Sequence, residues 1–167
     1  MNIKIGIIMG SDSDHPALEK GIELLRRFAV PFDIEVSSAH RTPERTLRVV
    51  RDFEKRGAEV FIAAAGGAAH LPGVVASHTR RPVLGVPIES TLSGADSLVS
   101  IVQMPGGIPV ATFGIGKAGA TNAVLFAVAI LALKDPDLEK KLREFREEQA
   151  AQVEEKSARL KQKVFPE

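Results

Sequence analysis

The 167-residue chain contains no cysteine, which rules out both a disulfide framework and a thiolate metal site. This absence fits a reducing compartment. The chain also lacks a prevailing charge, since 22 basic side chains are matched by 21 acidic ones for a net charge of +1. Such a balance argues against broad attraction to nucleic acid or to a membrane and leaves only local charge to consider. Long hydrophobic runs are missing too. The longest apolar segment, residues 123–133, is too short to span a bilayer. Met1-Asn2-Ile3-Lys4 runs straight into an apolar strand, without the charged region and cleavable stretch of a secretion signal. There is no sequence repeat, low-complexity tract or internal linker. A soluble cytoplasmic protein of one domain is the expectation, with roughly 70% of its unfolded surface buried without staples.

What is present is an alternation of strand and helix patterns. Residues 4–9 form a continuous β-branched run, the pattern of a parallel strand buried on both faces. Residues 10–14 break it, and Pro16 opens a helix capped near Asp14, with Leu18, Ile22, Leu25 and Phe28 on one face. Residues 32–36 read as a second buried strand. Residues 43–56 read as a helix with Thr42 as cap, Pro43 at its first position, and Leu47, Val50 and Phe53 inward. A third strand (59–65) leads through a loop of small residues (66–73) to a short helix ending at His78. A fourth strand (83–86) is ended by Pro87-Ile88-Glu89-Ser90. A helix (93–102), a short fifth strand (109–113), a turn (114–119) and a long apolar helix (about 120–133) follow. Pro136 then opens a highly charged helix with an apolar stripe of Leu138, Leu142, Phe145 and Val153. Strands and helices alternating at roughly 25-residue spacing imply right-handed βαβ units. The expected fold is a flavodoxin-like, three-layer αβα sandwich on a mostly parallel five-stranded sheet. Residues 1–134 would form its core and residues 135–167 a C-terminal helical extension. The helix at 120–133 is apolar nearly all round, so a second element must cover it: the last helix of its own chain or, in the favoured reading, a second subunit.

Ligands of an open parallel sheet collect beyond the carboxyl ends of its strands. Every chemically unusual stretch falls there: residues 10–14, 37–42, 66–73 and 87–90. In the first, hydroxyls and carboxylates precede a helix, suited to a phosphate on Ser11, Ser13 and the backbone and to ribose hydroxyls on Asp14; plain capping explains them too. A metal on Asp12 and Asp14 is the weaker alternative. In the second, Ser38, His40 and Arg41 set an anion-binding guanidinium beside a titratable ring at a helix start. His15 and His78 read as solvent-facing, and no pair of histidines has ligand spacing. His70 either lines the pocket or bonds the backbone. The loop around it lacks the lysine of a P-loop, and its small residues suit close approach to a flat ligand or a tight packing turn. Gly114-Ile115-Gly116-Lys117-Ala118-Gly119 matches a dinucleotide fingerprint in form but comes too late in the chain. Close packing, with Lys117 near the pocket, is the better reading.

Taken in order, Gly-Ser-Asp-Ser-Asp, Ser-Ala-His-Arg-Thr-Pro, Gly-Gly-Ala-Ala-His-Leu-Pro-Gly, Ser-Ile-Val-Gln-Met-Pro and Gly-Lys-Ala-Gly-Ala-Thr-Asn-Ala identify a resemblance. From about Ile5 to Leu133 the chain resembles the bacterial N5-carboxyaminoimidazole ribonucleotide mutases, a class of the phosphoribosylaminoimidazole carboxylase family. The resemblance implies an isomerase of purine biosynthesis that moves a carboxylate from the exocyclic nitrogen to C4 without metal, ATP or any other cofactor. It implies His40 as general acid/base, with Ser11, Ser13, Ser38 and Arg41 on the 5′-phosphate and Asp14 on the ribose. Ala65, Gly66, His70 and Leu71 would close over the imidazole and carboxylate. Also implied are a homo-octamer and a functional link to an ATP-dependent synthetase that makes the N-carboxylated substrate. A related class carboxylates aminoimidazole ribonucleotide directly; Arg41 and His70 favour the mutase. From a different class of function, a non-catalytic nucleotide-binding module on the same fold remains open. His15 departs from the family, which often has a large apolar residue there.

Overall fold

Five apolar runs become strands, and the stretches between them become helices. In the computed structural model, which describes residues 2–165, β1 (Ile5–Met9) leads through a 3-10 turn (Asp12–Asp14) into α1 (His15–Arg27). Then come β2 (Phe32–Val36), α2 (Pro43–Lys55), β3 (Val60–Gly66), α3 (Leu71–His78), β4 (Val83–Ile88) and α4 (Ala95–Val102). The chain closes with β5 (Ala111–Thr112), α5 (Gly116–Ala132) and α6 (Pro136–Val164). All strands are parallel, in the order β2-β1-β3-β4-β5, which is the flavodoxin-like arrangement with helices on both faces. Residues 1–128 form one compact unit and residues 129–167 a second.

Successive strand residues face opposite layers. On one side Ile8, Phe61, Ala63 and Ala65 join Val50 and Phe53 of α2, Val75 of α3 and Ile101 of α4 in a single buried cluster. Gly6 shares that face. A Cβ there would lie 2.4 Å from Phe53 Cδ2, so only glycine lets Phe53 settle on the sheet and stack on Phe61, with ring centroids 6.4 Å apart. Of the opposite parity, Ile5, Ile7 and Ile62 are fully buried. Elsewhere α1 and α5 touch where Gly21 admits Val124.

The structure differs from the sequence reading at several edges. β2 is an outer strand, only partly covered, rather than a buried one. Its Asp33 and Glu35 pair with Arg56 (2.7 Å) and Arg45 (2.6 Å), and such charges discourage pairing with a further strand. β4 continues through Pro87 and Ile88. The Gly85 carbonyl faces β5, where it accepts from Phe113 N–H at 2.9 Å. By the two-residue alternation Pro87 faces the same way, and β5 has already ended at Thr112, so the missing N–H of proline costs no ladder bond. β5 itself shrinks to two residues. α4 begins at Ala95 because Ser93 and Gly94 are left-handed, with φ of 55° and 84°. α5 begins at Gly116, so four of the six residues of the glycine-rich run are helical rather than a turn. In α6, Asp135 caps by accepting from Leu138 N–H at 3.0 Å. Leu138 and Phe145 are buried, but Val153 is 65% exposed, so the expected stripe is covered only near its start. No helix among the described residues is long and apolar enough to cross a membrane.

Close packing does explain one glycine of the run. A Cβ at Gly119 would fall 1.5 Å from the Gly114 carbonyl oxygen, a backbone atom that cannot rotate away. We expect Gly119→Ala to lower the unfolding free energy by about 2 kcal/mol or more in urea titrations. A loss under about 0.5 kcal/mol, the range of ordinary surface changes, would show that the turn yields freely.

Candidate active site

Parallel strands deliver their following loops to one edge, and bonds just past the strand ends keep those loops level. Ser37 N–H donates to the Met9 carbonyl (2.8 Å), and Gly10 N–H to the Ala64 carbonyl (3.0 Å). The loops after β1, β2, β3 and β4 thereby enclose a cavity of about 460 Å³. All ten residues named from the sequence line it: Ser11, Ser13, Asp14, Ser38, His40, Arg41, Ala65, Gly66, His70 and Leu71.

Hydroxyls shape the turn after β2. Ser37 and Thr46 are buried, with their oxygens 2.8 Å apart. Thr42 occupies the cap position of α2, yet its hydroxyl serves the turn instead. It donates to the Ser38 carbonyl (3.0 Å) and accepts from Ser38 N–H (3.1 Å). Ser38 Oγ accepts in turn from the backbone N–H (3.2 Å) and Nε–H (3.4 Å) of Arg41. This draws the guanidinium to the cavity wall. No carboxylate among the described residues pairs with it, so it is available to an anion.

His40 stands on this turn, and His70 stands just before α3. His40 Nε2 lies 2.7 Å from His70 Nδ1, with the rings edge-on at 81°. One nitrogen must donate and the other accept, so this contact holds a single proton, and a second would set two N–H groups against each other. The His70 ring therefore bonds its partner imidazole rather than the backbone. His15 and His78 are exposed on helices, away from the cavity.

After β1, capping and ligand readings meet in the same atoms. Ser11 Oγ accepts from Ser13 N–H (3.3 Å), and the Asp14 carboxylate accepts from Ser11 N–H (3.1 Å), completing a capping box. The Ser13 hydroxyl donates to Ser11 Oγ (2.8 Å), whose own proton goes to Asp12 (3.1 Å). Asp12 does not line the cavity. No group of three His, Asp or Glu side chains among the described residues is arranged for a metal ion. Burial holds the Asp14 carboxyl above its ordinary value, against the bond from Ser11 N–H; the Asp12 charge adds to the rise.

Two corrections concern the far side of the site. Lys117 is exposed on α5 and does not line the cavity. Glu89 does line it, and the sequence reading passes over it as a site residue. That reading puts residues 87–90 at the sheet edge but gives Glu89 no role. With β4 running to Ile88, Glu89 is the first residue past its strand, as Gly10 is past β1 and Ser37 past β2. Its carboxylate approaches Gly116 at the start of α5.

A flavodoxin-like sheet with a serine-rich, arginine-bearing cavity and paired imidazoles at its strand ends defines an enzyme class acting on an anionic small molecule. The AIR carboxylase family model matches residues 4–152, and the chain belongs to that family. N5-carboxyaminoimidazole ribonucleotide mutase of Thermotoga maritima is 52% identical over 160 residues, covering 95% of this chain and 92% of the relative. Phosphoribosylaminoimidazole carboxylase of Ogataea methanolica is 56% identical over 134 residues, 80% of this chain but 24% of that longer protein. The crystal structure of Treponema denticola PurE superposes with a TM-score of 0.86 at 28% identity, covering 96% of this chain and 99% of that one.

The raised Asp14 carboxyl gives a pH signature. A folded-state value above the unfolded one lowers stability at neutral pH, and the loss is relieved as pH falls through the folded value toward about 3.8. Asp14→Asn should therefore be at least as stable as the parent at pH 7, with its advantage shrinking on acidification. A gap that widens toward low pH in denaturant titrations would contradict the burial argument.

Proposed function

We propose that this chain converts N5-carboxyaminoimidazole ribonucleotide into 4-carboxy-5-aminoimidazole ribonucleotide in de novo purine biosynthesis, as an isomerase. The observation that carries this reading is the His40–His70 contact, in one cavity with an unpaired guanidinium and a row of serine hydroxyls. Ser11, Ser13, Ser38 and Arg41 hold the 5′-phosphate, and Asp14 takes the ribose hydroxyls. Ala65, Gly66, His70 and Leu71 close over the imidazole and its carboxylate.

His40, protonated, gives its proton to the carbamate nitrogen as the N–C bond breaks. The bonding pair stays on nitrogen and CO2 departs. Ring carbon C4, made nucleophilic by the amine conjugated to it, then attacks the retained CO2 and forms the new C–C bond. Neutral His40 removes the C4 proton and ends as it began. No proton, electron or co-reactant is consumed, so the chemistry needs only an imidazole that works in both directions and a pocket that retains a small neutral molecule. His70 fixes the His40 ring through their shared hydrogen bond.

The working form is a homo-octamer in the cytoplasm, supplied by an ATP-dependent synthetase. Apolar side chains left open on the single chain support assembly: Phe126 on α5 is 49% exposed, and Val99 and Val102 on α4 are 56% and 54% exposed. A second reading, direct carboxylation of aminoimidazole ribonucleotide by CO2, is favoured by the relative named a carboxylase.

One comparison separates the readings. Product should form from the N-carboxylated substrate, and far more slowly from aminoimidazole ribonucleotide with bicarbonate; the reverse order favours the carboxylase. His40→Asn should retain ligand affinity while turnover falls by about three orders of magnitude or more, at the upper end of general acid/base effects. Undiminished turnover in that variant would remove His40 from the reaction.

A further inference from the structure

Buried polar groups in this protein are few and share one location. Among the described residues, Asp14, Ser37, Thr46 and Ser97 are the buried polar or charged side chains, and each stands behind a strand end that feeds the cavity. Asp14 lines the cavity, and Ser37 with Thr46 braces the His40 turn. Ser97 has no part in the mechanism above and does not touch the cavity.

Its hydroxyl is fully used. Ser97, on α4 and with no measurable exposure, accepts from Gly67 N–H (2.9 Å) and donates to the Ile88 carbonyl (2.8 Å). Gly67 opens the loop that carries His70, and Ile88 is the last residue of β4. One oxygen thus ties the start of the His70 loop to the rigid end of a central strand. The neighbouring Ser100 adds only a 3.4 Å contact to the Gly67 carbonyl, and its hydroxyl is better placed on Asp96 at 2.8 Å. An alanine at 97 would leave a half-buried N–H and a buried carbonyl without that partner, and would cut the tie between the loop and β4.

We propose that Ser97 is a positioning residue for the reaction: its hydroxyl fixes the Gly67 end of the loop so that His70, three residues on, meets and orients His40. The inference rests on the function proposed above. It separates two tasks of the site, because the phosphate-holding Ser38 and Arg41 sit on a different loop, braced by Ser37 and Thr46. Loss of the Ser97 hydroxyl should disturb proton transfer and leave the phosphate grip alone.

The test compares Ser97→Ala with the full-length parent on N5-carboxyaminoimidazole ribonucleotide. Val124→Ala, a buried truncation on α5 away from the cavity, serves as the control for general loosening. We expect kcat of Ser97→Ala to fall about tenfold to a hundredfold, the cost of misplacing a reacting group by about an ångström. Inhibition by inorganic phosphate should stay unchanged, KM should rise by much less than kcat falls, and Val124→Ala should keep the parental kcat while melting earlier. Parental kcat in Ser97→Ala, a matching rise in KM, or an equal fall in Val124→Ala would each overturn the inference while leaving the function intact. A parent that fails to turn over this substrate overturns the function and the inference together.

Discussion

A 2.7 Å contact between two imidazoles joins loops that leave different strands, and the site depends on that contact being made. Neither ring is buried, so burial does not hold them in place. What does is the frame beneath. β1 lies between β2 and β3, and the ladder bonds from Ser37 to Met9 and from Gly10 to Ala64 keep the three strand ends level. Below the rim, the hydroxyls of Ser37, Thr42 and Thr46 bond one another and the backbone of the turn.

Residues from several loops meet in the cavity. The turn after β2 carries both the guanidinium and one imidazole, while the loop after β3 carries the other. Asp14, buried and accepting from Ser11 N–H, costs stability at neutral pH where it lines the cavity.

Much of this was legible in the sequence because its signals are local. The runs at residues 4–9 and 32–36, Pro43 at a helix start and the serine-aspartate cluster each follow from nearest-neighbour chemistry, and strand-helix alternation then forces their loops to a common edge. What was hidden depends on tertiary partners. β2 reads as buried because Phe32, Ile34 and Val36 are apolar, and only the strand order shows that it has one neighbour. Pro87 reads as a stop because a proline inside a ladder forfeits a bond, and only the early end of β5 makes it harmless. Glu89 falls in the 87–90 stretch that the sequence places at the sheet edge, but nothing local to it gives it a role there. Gly114 to Gly119 carries a nucleotide-like spacing that in fact lets backbone lie on backbone, which spacing cannot distinguish. No pattern in the sequence pairs Ser97 with Gly67, thirty residues away.

The central claim is that one imidazole moves a proton in each direction while CO2 stays within the cavity. Substrate carrying carbon-13 in its N-carboxylate, turned over in buffer with unlabelled bicarbonate, tests it directly. The account predicts that the label is retained in the C4 carboxylate of the product. Product carrying the unlabelled carbon of the buffer would mean that CO2 leaves before the new bond forms, and the enclosed transfer would be wrong.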